Sequence, residues 1–317
     1  MSGGTIRIGT SGWNYPSGRG TWNGLFYPAK GHPHRGRGFD ELAYYAEHFD
    51  TVKVNSTFYR VPEPHVTQRW ADRTPNGFEF SIKLYQKFTH PKMFRASSGT
   101  DDATTATTDV DNVRRALDPL RHAEKLGVLL AQFPPSFKND PSAQDYLAWL
   151  LSAFGDCPIA VELRHRSWSD DVGATLTLLN GLGAAWAQID EPKFKFSIAQ
   201  NYLPNIGRVY YMRLHGRNAD AWWHHEHVED RYNYLYSARA LTPIAQTADA
   251  ASRLVKKLYL YLNNHFTAKA VANAVVLKHE LGIPVTGEYS ERFVERYPDV
   301  DGIVSRVSHP TSLLPQD

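Results

Sequence analysis

The chain has 317 residues, 42% hydrophobic and 21% charged, with 35 basic against 33 acidic residues and a formal charge of +2. These proportions exclude a disordered or fibrous chain, and a pI near 8.5 is too mild to argue for nucleic acid by charge alone. The lone Cys157 excludes an internal disulfide and any multi-cysteine metal site. No apolar run reaches the ~18 residues of a membrane span and no basic-then-apolar leader opens the sequence, so a reducing cytoplasm is the expected compartment and no membrane partner is expected.

Strand-like and helix-like runs alternate along the chain. The strands are expected at Thr5–Gly9, Thr51–Asn55, Phe78–Lys83, Gly127–Gln132, Pro158–Leu163, Ala184–Ile189, Arg208–Leu214 and Lys256–Leu262. Helices are expected at Phe39–His48, Pro64–Arg73, Asn112–Lys125, Ala143–Phe154, Val172–Leu182, Ala238–Leu254 and Lys269–Leu281. Asp40, Asp111 and Asp170–Asp171 offer caps for three of them. Eight such units predict an α/β fold, a (β/α)8 TIM barrel, built as a single domain over 1–317 with a core of about 5–283 and loop insertions. A doubly wound open sheet is the rival, but no GxGxxG follows the first strand.

Three segments break the alternation. Pro28–Gly38 is rich in glycine, histidine and basic residues and reads as a mobile loop. Ser97–Asp109, rich in Thr, Ser, Ala and Asp, reads as a flexible insertion, and 303–317 as a loose tail. Ala221–Tyr236 is dense in aromatics and histidines.

The strands alternate in a telling way. Val52 and Val54 take one face, Lys53 and Asn55 the other; Phe80 and Ile82 oppose Glu79, Ser81 and Lys83. Val161 and Leu163 oppose Glu162 and Arg164, and Leu258, Leu260 and Leu262 oppose Tyr259, Tyr261 and Asn263. On the seventh strand Tyr211, Arg213 and His215 share a face; on the sixth, more weakly, Trp186, Gln188 and Asp190 oppose Ala185, Ala187 and Ile189. If the apolar set packs outward on helices, the polar set converges inside. Arg7, Lys53, Lys83, Arg164 and Arg213 then face Glu79, Glu162 and Asp190, a surplus of about two cations that suits a phosphate, sulfate or carboxylate. Arg7, Lys53 and Glu79 fall low in the barrel, where an ion-pair network that only fills space is an equal reading. The residues at the C-terminal strand ends favour a site.

Within that site Glu162 is the candidate general acid or base, with His215 as its complement and Asp190 as a third proton-transfer group. Arg164, Arg213 and Lys83 are candidate anion ligands, with His165 beside them; Asn55, Gln132, Asn263 and Asn264 are candidates to orient hydroxyls or amides. Trp13 and Tyr59 lie among aromatics that follow strand ends and suit stacking on a sugar or base. No organic cofactor is expected, because no Walker motif, dinucleotide fingerprint or GxSxG elbow is present. A divalent metal held by His90, Glu162, Asp190 and His215 is the alternative, without diagnostic spacing; His224, His225, Glu226 and His227 have ligand chemistry but fall in a surface loop.

IGTSGWNYP at 8–16, FDTVKVNSTFYRVP at 49–62, LLAQFPPSF at 129–137, VELRHRSW at 161–168, YMRLHGR at 211–217 and YLNNHFTAKAVANA at 261–274 resemble the YecE-like family, a domain-of-unknown-function group (domain of unknown function 72). The resemblance covers nearly the whole chain. It implies a TIM barrel and supplies no reaction. The expected function is therefore a hydrolase or lyase acting by acid–base chemistry on a small anionic, sugar- or phosphate-bearing substrate at the C-terminal barrel face. The alternatives are a nucleic-acid or metabolite binding module and a metal-dependent endonuclease-like phosphodiesterase, the latter expecting a basic stripe around Arg35 and Arg37.

Overall fold

The structure, a computed structural model, describes residues 3–31, 35–99, 104–200, 208–223 and 227–307, with backbone alone at 221, 223, 228 and 229. Nine strands form one parallel sheet: β1 (Thr5–Ser11), β2 (Thr51–Val54), β3 (Glu79–Lys83), β4 (Leu126–Gln132), β5 (Ile159–Glu162), β6 (Ala185–Trp186), β7 (Gln188–Asp190), β8 (Val209–Leu214) and β9 (Lys257–Leu262). Their order, β6-β5-β4-β3-β2-β1-β9-β8-β7, is that of a barrel. Its two ends are successive halves of the run 185–190, split at Ala187, whose N–H donates to the Val161 carbonyl at 2.9 Å. β6 pairs with β5 and β7 with β8, so eight staves close the ring, as the alternation predicts. Gly9 is required where β1 meets β2, because a Cβ there would lie 2.2 Å from the Thr51 carbonyl oxygen.

The outer faces of the strands carry the large core. Val52, Val54, Phe80, Ile82, Val161, Met212, Leu258 and Leu260 pack in one cluster with helix residues such as Leu117, Leu147, Leu241 and Val275. The helices Glu41–His48, Pro141–Ala153 and Val172–Gly181 start where the Asp40, Asp140 and Asp171 carboxylates accept from their first-turn N–H groups. Asp111 caps nothing. Its helix begins earlier, at Thr107, because the Asp109 carboxylate accepts from the Ala106 N–H at 2.8 Å and pairs with Lys87 at 2.9 Å. The flanks of the expected 97–109 insertion are thus helical, at Pro91–Ser98 and Thr107–His122, while 100–103 lie outside the described residues.

Order also continues past the expected core limit near 283. Tyr289, Phe293, Tyr297 and Val300 are buried, and Glu288–Tyr289 pairs with Ser305–Arg306 in a two-stranded parallel sheet. Residues 308–317 lie outside the described residues.

Inside the barrel the side chains form three levels. At the floor Glu79 accepts from Lys257 at 2.6 Å and from the Tyr259 hydroxyl, and lies 3.3 Å from Arg7 Nε, while Arg7 also binds Asp50 at 2.8 Å. In the middle, Thr51 donates to the Glu79 carbonyl at 2.8 Å, so its Oγ1 accepts from Tyr261 at 2.6 Å, and Tyr261 accepts from Ser81 at 2.8 Å. The rings of Tyr211, Tyr259 and Tyr261 fill the space that Ala160, Ala185 and Ala187 leave across the barrel. Trp186 therefore does not face inward as its parity suggested. It packs in the outer cluster, because the break at Ala187 turns Ala185 and Ala187 inward and Ile189 outward.

The floor is a closed network. Glu79→Ala leaves the Tyr259 hydroxyl without its acceptor and Arg7 with Asp50 as its remaining carboxylate, and urea unfolding is expected to show a loss of roughly 2–4 kcal/mol with ligand binding at the far end unchanged. A loss below about 0.5 kcal/mol, within the range of ordinary surface changes, would contradict the assigned structural role.

Candidate functional site

The third level, at the C-terminal ends of the strands, is where charge concentrates. β5 ends on Glu162, which is fully buried, in register with Gln132 on β4. Arg164 reaches back to donate to Glu162 Oε1 from Nε at 2.8 Å and from Nη2 at 2.5 Å. From β8, Arg213 Nη1 donates to Glu162 Oε2 at 2.5 Å and to Gln132 Oε1 at 2.9 Å. Both carboxylate oxygens are thus held by guanidinium groups. Burial alone would raise the Glu162 pKa, but Arg213, Arg164 and their hydrogen bonds hold it well below the carboxylate range. Glu162 is a fixed anion in this geometry and carries no proton to give.

Arg164 has a second carboxylate. Its Nη1 donates to Glu191 at 2.9 Å, and the two glutamates more than offset burial, so the guanidinium stays charged. Burial raises the Glu191 pKa, opposed by Arg164. His215 sits over the pair, its Nε2 3.2 Å from Arg164 Nη2 and its Nδ1 2.9 Å from the Asn263 carboxamide. A guanidinium has donors only, so Nε2 accepts. Burial, then Arg213 and Arg164, push the His215 pKa well down, and the ring is neutral.

Two further amines complete the level. Lys53 is fully buried, and its Nζ donates to Asn55 Oδ1. Lys83, at the end of β3, places Nζ 3.8 Å over the Phe58 ring, and no carboxylate bonds to it among the described residues. Burial, Arg213 and Arg164, partly opposed by Glu162, lower the Lys83 pKa to about 7; burial, Arg213 and Lys83 push Lys53 well below its ordinary value. Arg213 Nε is also buried without a hydrogen-bond partner among the described residues. Two guanidinium groups meet two carboxylates at this level, and two amines are left over. Burial is the larger cause of their lowered pKa values, and the neighbouring cations of that surplus add to it.

The structure thus brings together Glu162, Arg164, Arg213, His215, Gln132, Asn263 and Lys83, with Asn55 joined through Lys53. Five other expected residues sit apart. Asp190 binds Arg217 at 2.7 Å and accepts from Tyr236 at 2.8 Å, at the rim. Trp13 packs edge-on against Trp70 at 5.8 Å and Phe80 at 6.5 Å, among the outer-core rings. Tyr59 is 67% exposed, and His165 accepts from the Ser167 N–H at 3.1 Å to cap a short turn. Asn264 donates to the Tyr234 carbonyl and to Asn273, both at 2.8 Å, tying the loop after β9 to its helix.

Lys53 does not belong to the floor as expected: its Nζ reaches up to Asn55 at the mouth. The shear of the barrel offsets neighbouring strands, and Lys53 is in register with Ser81 while Thr51 meets Glu79. Glu191 and His90 were not among the expected site residues. A carboxylate one residue beyond a strand end was the available signal for Glu191. His90 was weighed only as a metal ligand; its ring lies 5.0 Å from Phe58, on which Lys83 also rests.

Among the described residues no group of three or more His, Cys, Asp or Glu side chains gathers with metal-binding geometry, and His224, His225 and Glu226 lie outside them. Arg35, one of the two arginines of the expected basic stripe, is spent internally: it donates to the Pro28 carbonyl at 2.7 Å and covers the Phe39 ring. No helix among the described residues is long and apolar enough to cross a membrane.

Known proteins match much of this chain. The UPF0759 protein YunF of Bacillus subtilis is 27% identical over 293 residues, 89% of this chain and 96% of YunF. The UPF0759 protein YecE of Escherichia coli K12 is 30% identical over 179 residues, 56% of this chain and 55% of YecE. Among solved structures, a DUF72 family protein (TM1631) of Thermotoga maritima superposes with a TM-score of 0.71 at 30% identity, covering 88% of this chain and 99% of that one. Another (EF0366), from Enterococcus faecalis, gives a TM-score of 0.74 at 22% identity over 88% and 96% of the two chains, a likeness of fold. The model of the family described as "Protein of unknown function DUF72" matches residues 7–295, and the chain belongs to that family.

Proposed function

We propose that this protein is an enzyme that binds a small anionic substrate, bearing a phosphate, sulfate or carboxylate, in the C-terminal mouth of the barrel and transforms it by acid–base chemistry without an organic cofactor. One observation carries the reading: Lys53, buried, and Lys83, half-buried, lie beside Arg164 and Arg213 with no carboxylate bonded to either amine among the described residues. A structural network would neutralise itself, as the floor around Glu79 does. Uncompensated buried cations cost several kcal/mol each, and an incoming anion recovers that cost.

The roles follow from the geometry. Glu162 aligns Arg164 and Arg213, and the buried, unpartnered Nε of Arg213 is a donor left for the anion. Lys53 supplies a point charge. Lys83, poised between its charged and neutral forms at neutral pH, is the group suited to take and return a proton. Neutral His215, engaged by Arg164 at Nε2 and by Asn263 at Nδ1, holds the Arg164 fork in place, and Gln132 does the same for Arg213. A hydrolase or lyase reaction needs these groups and nothing more. The binding of nucleic acid or the metal-dependent alternative finds less support, since Arg35 is internally committed and the described donors do not cluster.

Sulfate is the cleanest probe, because its charge is constant across neutral pH. Calorimetry is expected to detect sulfate binding to the wild type and to lose it in Arg213→Ala. Lys83 binds fewer protons folded than unfolded between about pH 7 and pH 10, so without an anion this group's penalty is full below pH 7 and fades as pH rises. Sulfate affinity runs the other way. It is expected to fall about tenfold as pH rises through 7, the loss of one charge-assisted hydrogen bond. A pH-independent affinity would remove Lys83 from the site.

Glu162→Gln tests the clamp. Leaving Arg213 without its carboxylate is expected to cost roughly 3–5 kcal/mol in urea unfolding, and sulfate should restore more stability to this variant than to the wild type. Equal stabilisation of the two would mean that the anion binds elsewhere.

A further inference from the structure

Lys83 is set apart from every other cation at the mouth. Arg164 and Arg213 are engaged with Glu162, and Lys53 has no exposed surface and donates to Asn55. Among the described cations at the mouth, Lys83 alone is half-buried, free of a carboxylate, and laid on an aromatic face, 3.8 Å above Phe58. His90 packs on the same Phe58, its ring perpendicular to it at 5.0 Å and its Nδ1 2.9 Å from the Thr89 hydroxyl.

Resting on the anion-binding reading above and going beyond it, we propose that Lys83 is a nucleophile that forms an imine with an aldehyde or ketone substrate carrying a phosphate or carboxylate group. The Nζ lone pair attacks the carbonyl carbon, a C–N bond forms, and the C=O π pair moves to oxygen, which takes a proton. The resulting carbinolamine then loses its hydroxyl as water. Overall an ammonium and a carbonyl give an iminium and one water, two protons of Nζ leaving with the carbonyl oxygen. No oxidant, metal or organic cofactor enters.

The surroundings suit each stage. The groups facing Lys83 are Lys53 from β2, Glu162 and Arg164 from β5 and beyond, Arg213 from β8 and His90 from the turn after β3. Three of these are cations or buried amines, which disfavour ammonium and leave the lone pair available. His90, with a pKa pushed down to about 4 by burial and by Lys83 and Arg164, is neutral and adds no further positive charge beside the iminium. An anionic group on the substrate offsets Arg164 and Arg213, so the iminium charge appears in a site already neutralised. The Phe58 face then holds the iminium as it holds the ammonium.

The test is trapping. The full chain is incubated at pH 7 with pyridoxal 5′-phosphate, an aldehyde with a phosphate, reduced with borohydride, and mapped by peptide mass spectrometry. Glyoxylate, a small aldehyde with a carboxylate, is run in parallel so that a bulky ring is not mistaken for an absent nucleophile. The amine at Lys83 is unprotonated far more often than that of an ordinary lysine, so labelling is expected to be at least about ten times faster there than at exposed Lys92 or Lys256, and to be slowed by sulfate only at Lys83. Labelling of Lys83 no faster than Lys92 by both aldehydes overturns the proposal. If sulfate binding persists in that case, the imine falls and the anion pocket stands; if sulfate fails to bind as well, both fall together.

Discussion

Everything at the mouth of this barrel depends on how Glu162 is held. It has no exposure to solvent, and each of its oxygens accepts from a different arginine, one rising from its own strand and one crossing from β8. A carboxylate buried this way is affordable only while both guanidinium groups stay in place, so the pair of arginines is fixed in turn. Gln132 extends the clamp to β4, and His215 and Asn263 extend it to β8 and the end of β9. The eight-stave ring supplies the frame, and the clamp gives the frame a charged and oriented end.

The contrast between the two ends of the interior gives the mouth its meaning. At the floor, Glu79 is matched by Arg7 and Lys257, with the Tyr259 hydroxyl filling the remaining acceptor site. Between the ends lies a layer of tyrosines and alanines with a directed chain of hydroxyls from Ser81 through Tyr261 and Thr51 to the Glu79 carbonyl. In those two layers each carboxylate meets a cation, and what is left over is neutral or weakly engaged: the Tyr211 hydroxyl and Arg7 Nε have no hydrogen-bond partner among the described residues. At the mouth the same sequence logic produces two carboxylates, two guanidinium groups and two amines. The proposed anion would supply the negative charge that this end lacks and the floor already has.

Much of this architecture is legible in the sequence because strand periodicity is a strong signal. Val52–Asn55, Glu79–Lys83 and Ile159–Arg164 each alternate cleanly, and their polar faces do meet inside the barrel. The limits are equally physical. Height along the barrel is set by inter-strand register, which a single strand does not reveal, so Lys53 reads as low when it is high. The split of the sixth stave at Ala187 reverses parity within two residues, and Trp186 turns out to the helices. Residues after a strand end have no parity at all: His165, Trp13 and Asn264 look like mouth residues yet cap a turn, pack in the outer core and tie down a loop. Asp190 ends its strand as expected and is claimed by Arg217 and Tyr236.

The central claim is that a cationic surplus, and not a satisfied network, occupies the mouth, and Lys83 is its reporter. Its side-chain carbon and nitrogen chemical shifts, followed by NMR in a lysine-labelled sample as pH is raised, read the charge of the amine directly. The account predicts a midpoint near 7 that moves upward when sulfate is added, because an anion stabilises the ammonium. A midpoint close to the ~10.4 of an unperturbed lysine, unmoved by sulfate, would contradict it.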